Sequence, residues 1–211
     1  MYARSTTVMA RPGHIEEGTS HINRNVLPVL ETIPGFIGMS LMVDRESERC
    51  ILTTSWDSSE AMHASEESVG PIRDAAAAIF SGPGPKPQSA VDHWQIVAMH
   101  RDHSAHQGTW VRSTWLKLET ARFNQALDFC RTSVLPAIQE FEGFCSASVM
   151  TDPPSRRAVI SASYDSAEAL DLNRERARSL RTARLRELGA DQLDVGEFEL
   201  AIARLRVPEM A

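Results

Sequence analysis

Asn25-Val-Leu-Pro-Val-Leu-Glu-Thr-Ile-Pro-Gly-Phe-Ile-Gly-Met-Ser-Leu-Met-Val-Asp44 returns later in the chain as Ser133-Val-Leu-Pro-Ala-Ile-Gln-Glu-Phe-Glu-Gly-Phe-Cys-Ser-Ala-Ser-Val-Met-Thr-Asp152. The offset is 108 residues, and it holds without a gap from positions 2–75 to positions 110–183, with 21 identities in 74 pairs. Unrelated sequences of ordinary composition would match at about one pair in 17. Arg4-Ser5-Thr6 reappears as Arg112-Ser113-Thr114. Ser55-Trp56-Asp57-Ser58-Ser59-Glu60-Ala61 reappears as Ser163-Tyr164-Asp165-Ser166-Ala167-Glu168-Ala169. Beyond the second helix the offset falls to 104, so that Val91 to Val97 faces Val195 to Ala201, and the difference fits inside the Pro/Gly-rich run 81–89. A period this long is a whole small domain, too long for a solenoid unit.

Within each copy the pattern alternates between strand and helix. Tyr2 to Ala10 reads as a strand that ends at Arg11-Pro12-Gly13. Ile15, Thr19, Ile22, Val26, Leu30 and Ile33 recur at helical spacing. Pro28 lies inside that helix and takes away one backbone donor, which predicts a kink or a restart, and Pro136 repeats it. Gly35 suits a left-handed helix end. Phe36 to Val43 and Cys50 to Trp56 then read as a hairpin, Ser58 as the cap of a helix reaching Phe80, and Asp92 to Met99 as a fourth strand. The second copy gives strands at Trp110 to Leu118, Phe144 to Met150, Ala158 to Tyr164 and Phe198 to Leu205, with helices at Ala121 to Phe141 and Ser166 to Leu188.

Strand, helix, strand, strand, helix, strand is the ferredoxin-like order, an antiparallel sheet with both helices on one face. The fold class expected is α+β: two tandem ferredoxin-like repeats packed sheet to sheet. The predicted boundaries are 1–100 for the first repeat, 101–108 for a linker and 109–208 for the second. Strand Cys50 to Trp56 carries apolar residues on both faces, which requires cover on both.

Composition narrows the function classes. A net charge of −6 argues against a nucleic-acid partner. No apolar run reaches the ~20 residues that a membrane span needs, and the N-terminus lacks a signal-peptide core, so a cytoplasmic protein is expected. Cys50, Cys130 and Cys145 are too scattered for a disulfide frame and read as small buried hydrophobes.

The Leu-Pro-x6-Gly-Phe segment, followed by a hairpin and then Trp56-x-Ser58-x-Glu60-Ala61, resembles the antibiotic-biosynthesis-monooxygenase-like family of dimeric α+β barrels. The resemblance spans nearly the whole chain, once per half. It implies that the two halves together make the barrel that other members build from two chains, as a monomer with an internal pseudo-dimer or as a homodimer of such chains. Active members oxidise electron-rich phenols and quinols with oxygen and no metal or flavin, so no cofactor is expected. Haem-degrading members place an Asn on the first strand and a His on the second helix. Here the first strand has no Asn, and Ser65 and Asn173 stand where the His would be.

The expected function is a cofactor-independent monooxygenase for phenolic, quinol or polyketide-like aromatic substrates held in a barrel cavity. The alternative is a non-catalytic small-ligand-binding or stress-responsive barrel. Such a site needs aromatic walls, a cation or donor for a developing phenolate, and a base. Arg4 and Arg112 are mid-strand cations for the ligand, or members of structural ion pairs. Trp56, Trp94 and Phe198 are candidate walls, or plain core. Tyr164 is a candidate catalytic donor, and His93 a candidate base whose counterpart is Glu197. His100, His103 and His106 have a spacing that would suit a metal on a helix, but the linker has no periodic apolar face and reads as a solvated hinge. No metal is expected. The arginines of 174–186 read as a solvated helix face.

Overall fold

The computed structural model describes residues 1–84, 89–106, 108–119, 123–204 and 206–209. The elements run in the expected order, twice. The first copy is β1 (Tyr2–Met9), α1 (Ile15–His21), α2 (Leu27–Leu30), β2 (Phe36–Asp44), β3 (Arg49–Trp56), α3 (Ser59–Ala64), α4 (Glu66–Ser81) and β4 (Ser89–Arg101). The second is β5 (Trp110–Leu118), α5 (Phe123–Phe129), α6 (Leu135–Gln139), β6 (Phe144–Asp152), β7 (Arg157–Tyr164), α7 (Ala167–Leu172), α8 (Arg174–Leu188) and β8 (Ala190–Arg204). The hydrogen-bonded strand order is that of a closed barrel, β1-β3-β2-β8-β5-β7-β6-β4.

By packing, the chain forms two compact units. Unit 1 is Met1–Trp94 with Leu200–Val207, and unit 2 is Gln95–Glu199 with Pro208–Ala211. Inside unit 1, β3 is the middle strand, antiparallel to β1 in the register Arg4↔Thr54 and to β2 in the register Met39↔Thr54. Inside unit 2, β7 holds the same place between β5 (Arg112↔Ala162) and β6 (Ala147↔Ala162). Each sheet packs its helices on one face. The unit 1 core joins Ile22, Val26, Leu30, Met39, Trp56, Met62 and Phe80. The unit 2 core joins Cys130, Val134, Ile138, Val149, Tyr164, Leu170 and Leu188.

Pro28 acts as its chemistry requires. The chain forms one π turn at Ile22–Val26 and only then returns to α geometry at Leu27, with the Leu27 N–H donating to the Ile22 carbonyl. Cys130–Val134 and Leu135, ahead of Pro136, repeat this. The wider turn absorbs the donor that proline lacks. Ser58 and Ser166 cap α3 and α7 by accepting from Ala61 N and Ala169 N at 3.1 and 3.2 Å. The last strands are longer than their apolar pattern suggests. β8 begins at Ala190, and its polar stretch Asp191, Gln192 and Asp194 is held by backbone pairing to Lys117, Leu116 and Trp115. Pairing of that kind leaves no signature in side-chain periodicity.

Candidate functional site

In unit 2 an apolar cavity of about 70 Å³ lies between the sheet and its helices, lined by Arg112, Leu116, Ile138, Ala162, Tyr164 and Leu188 among others. The volume has room for a few waters and is roughly half the ~150 Å³ of a cavity that takes up benzene, so a ring enters only as the lining gives way. β5 and β7 supply its floor by the period-two rule: Arg112, Thr114 and Leu116 share one face of β5, and Ile160, Ala162 and Tyr164 share one face of β7. The roof comes from α6 and α8.

Arg112 is 6 % exposed. A guanidinium at that depth needs partners to offset its lost hydration. Its Nη2 lies 2.8 Å from Glu197 Oε1 and donates to the Leu170 carbonyl at 3.1 Å, and its Nε donates to Glu197 at 2.9 Å. Nη1 is buried and finds no acceptor among the described residues. Glu197 is shared with Arg174, whose Nη2 is 2.8 Å away. The Arg112 guanidinium carbon is 6.0 Å from the centre of the Tyr164 ring. Burial pushes the Tyr164 phenol up to about 12, against the opposing pull of Arg112. This favours the neutral phenol, whose O–H can donate. Arg181 also lines the cavity, and its charge is disfavoured first by burial and then by Arg112 and Arg178 nearby.

Unit 1 carries the same frame with the charges rearranged. Arg4, 2 % exposed, donates to the Met62 carbonyl and to Ser65 Oγ at 3.2 Å, and pairs with Glu66 at 2.9 Å. Glu66 is also 2.9 Å from Arg73. Burial pushes the Glu66 carboxyl up, but Arg73 and Arg4 outweigh it, and the net shift is downward. The carboxylate thus comes from α4 in unit 1 (Glu66, facing His93 on β4) and from β8 in unit 2 (Glu197, facing Arg174 on α8). The equivalent hollow shrinks to about 20 Å³. Trp56 replaces Tyr164, Val69 replaces Ala177, and Phe80 replaces Leu188.

Of the candidates named from sequence, Arg112 and Tyr164 come together at the unit 2 cavity. Arg4, Trp56 and His93 come together in unit 1: Arg4 lies 5.9 Å from the Trp56 ring centre and 3.5 Å from His93 Nε2, the outer limit of a hydrogen bond. His93 is exposed and stacks on His63 at 5.7 Å. Partial loss of hydration on its inner side, then Arg4, lowers its pKa from the ordinary value. Trp94 and Phe198 sit apart from both arginines. Trp94 donates to Ser5 Oγ at 2.8 Å, and Phe198 meets Trp115 edge-on at 6.2 Å, each on the sheet face opposite the helices. The cavity anticipated between sheets is, for Arg112, a cavity between one sheet and its own helices. The apolar lining from α6 and α8 escaped sequence reading, because such side chains look the same whether they close a core or line a hollow.

Two ferredoxin-like βαββαβ repeats, one with a cation-lined apolar cavity, define a tandem α+β barrel protein. The model of the antibiotic biosynthesis monooxygenase family matches residues 1–78, most of the first repeat. It is 51 % identical over 211 residues to the "Uncharacterized protein Rv2558" of Mycobacterium tuberculosis H37Rv, covering 100 % of this chain and 87 % of the relative. With Rv2557 of the same strain it shares 48 % over 210 residues, covering 100 % and 92 %. Among solved structures it is similar to a protein from Lactobacillus acidophilus NCFM provisionally called a monooxygenase (TM-score 0.67, 10 % identity, 96 % and 93 % covered). An anthrone oxidase-like protein follows at TM-score 0.64, 11 % identity, with 94 % and 90 % covered. The heme-degrading enzyme of Listeria monocytogenes follows at 0.52 and 10 %, with 95 % and 99 % covered. At these identities the shared property of the solved structures is the fold.

Proposed function

We propose that the protein is a cofactor-independent monooxygenase of small phenolic or quinol substrates, working in the unit 2 cavity. The observation that carries this reading is Arg112, a buried cation that lines an apolar hollow and whose Nη1 finds no acceptor among the described residues. A ring would enter the apolar part, and its oxygen would take the vacant N–H. The guanidinium favours the phenolate, which is the electron-rich form able to hand an electron to oxygen. Tyr164, held neutral, supplies a second donor to the developing charge. Glu197 and the Leu170 carbonyl fix the Arg112 fork, so the charge needs no reorganisation during reaction. The similarity to an anthrone oxidase-like protein supports a phenolic substrate class.

A second reading, a ligand-binding barrel without turnover, has its own observation in favour. Glu197, the carboxylate paired with Arg112, has its second oxygen paired with Arg174, so neither is left free to take a substrate proton. The test is oxygen uptake by metal-free protein over a hydroquinone panel, run beside ligand-induced thermal shifts. Arg112→Met is expected to abolish both signals while keeping the circular dichroism spectrum, since Glu197 retains Arg174. Thermal shifts without oxygen uptake would leave the binding reading, and neither signal with any ring compound would remove both.

A further inference from the structure

Asp165, just ahead of α7, lies away from the Arg112 cavity, and three side chains converge on one of its oxygens. His103 Nε2 is 2.8 Å from Asp165 Oδ1, the Cys145 thiol donates to it at 3.2 Å, and His106 Nε2 lies 3.3 Å away. One carboxylate oxygen has two lone pairs for three donors. The ligand atoms of His103, Cys145 and Asp165 all lie within 4.8 Å of one another. The other nitrogen of His103 is 2.8 Å from Asp102 Oδ2, the carboxylate–histidine arrangement that orients metal-binding imidazoles.

The backbone holds this cluster in place. Asp102 N and His103 N both donate to the Cys145 carbonyl, at 2.8 and 3.3 Å, which pins the segment after β4 onto β6. His106 N donates to Thr109 Oγ1 at 3.0 Å, which folds the histidine back. Cys145 is fully buried, whereas His103, His106 and Asp165 are partly open to solvent, so an ion has a route in. Unit 1 keeps the aspartate as Asp57 but has Ile37 where the thiol stands.

We propose that His103, Cys145 and Asp165, with His106 as the fourth ligand, form a site for a borderline-soft divalent transition metal of the Zn²⁺ class. The donor set is one sulfur, two imidazole nitrogens and one carboxylate oxygen, which selects zinc-like ions over Ca²⁺ or Mg²⁺. A tetrahedral ion with bonds of about 2.0–2.3 Å needs ligand atoms about 3.4–3.6 Å apart. The separations from Asp165 Oδ1, 2.8 Å to His103, 3.2 Å to Cys145 and 3.3 Å to His106, are shorter by up to about 0.8 Å, so the ion enters by parting these atoms and drawing His106 toward the other three. The thiol gives its proton to the solvent on binding. With four protein ligands the site is closed, and the ion ties the segment between the repeats to the ends of β6 and β7.

The test is a Co²⁺ titration of tag-free, EDTA-stripped protein, followed by displacement with Zn²⁺. One equivalent per chain is expected, with intense tetrahedral visible bands and a thiolate-to-cobalt band in the near ultraviolet that Zn²⁺ removes. Cys145→Ser should erase the near-ultraviolet band, and the solvent-facing His103→Ala, whose fold is at less risk, should weaken binding at least 100-fold. Asp102→Asn should weaken it about 10-fold. Weak octahedral spectra, no binding, or unchanged affinity in His103→Ala each overturn the proposal.

Discussion

Single residues divide the two units more sharply than their backbones do. Where Arg112 is held by Glu197 on β8, Arg4 is held by Glu66 on α4, and His93 takes the strand position. His93 has a pKa lowered by partial loss of hydration and by Arg4, so the protonated form is disfavoured in the folded state. The sign follows: the contribution is fully present above the ordinary value of 6.5 and is lost as pH falls below it. Thermal unfolding between pH 8 and pH 5 should therefore show a decline that His93→Gln flattens. An identical slope in the variant would show that His93 contributes nothing to it. The two arginines were legible in the sequence because a charge inside an otherwise apolar strand demands a partner. Which partner each took was not legible, because Glu66 and Glu197 come from different elements.

At the scale of elements, the turns were the most readable feature. Gly35 and Gly143 have φ of +82° and +69°, left-handed as expected, but the helices close earlier, at Leu30 and Gln139, so each glycine turns the chain into the next strand instead of ending the helix. A Cβ at Gly143 would also lie 2.7 Å from Ala169 Cβ, on the helix that carries the Leu170 carbonyl. Gly143→Ala is therefore expected to cost about 1–3 kcal/mol in chemical denaturation. A loss under about 0.5 kcal/mol would mean the turn re-forms without strain. The proline positions were equally readable as breaks in helix one, although the sequence did not say that the break would be a π turn. The β8 extension was hidden, since Asp191 and Gln192 owe their strand geometry to backbone bonds with β5.

At the scale of the molecule, one repeat keeps a hollow that the other has nearly filled. A hollow costs stability, because its lining atoms lack partners. Ala162, 5 % exposed, faces it, and unit 1 has the branched Thr54 at the matching position. Ala162→Val should raise stability by about 1 kcal/mol from the added buried methyls and remove ligand-induced thermal shifts. Stabilisation with the shifts intact would place the ligand elsewhere. The sequence by itself determined the duplication, the ferredoxin-like order of each copy, the capped and kinked helices and the buried arginines. These follow from periodicity, proline and glycine chemistry and the cost of burying charge, all local in the chain. Only the tertiary structure decided that Arg112 and Tyr164 face their own helices, that the second repeat holds the larger hollow, and that the linker histidines meet Cys145 and Asp165. Those outcomes depend on side-chain volumes and directions contributed by elements far apart in sequence, which no local pattern encodes.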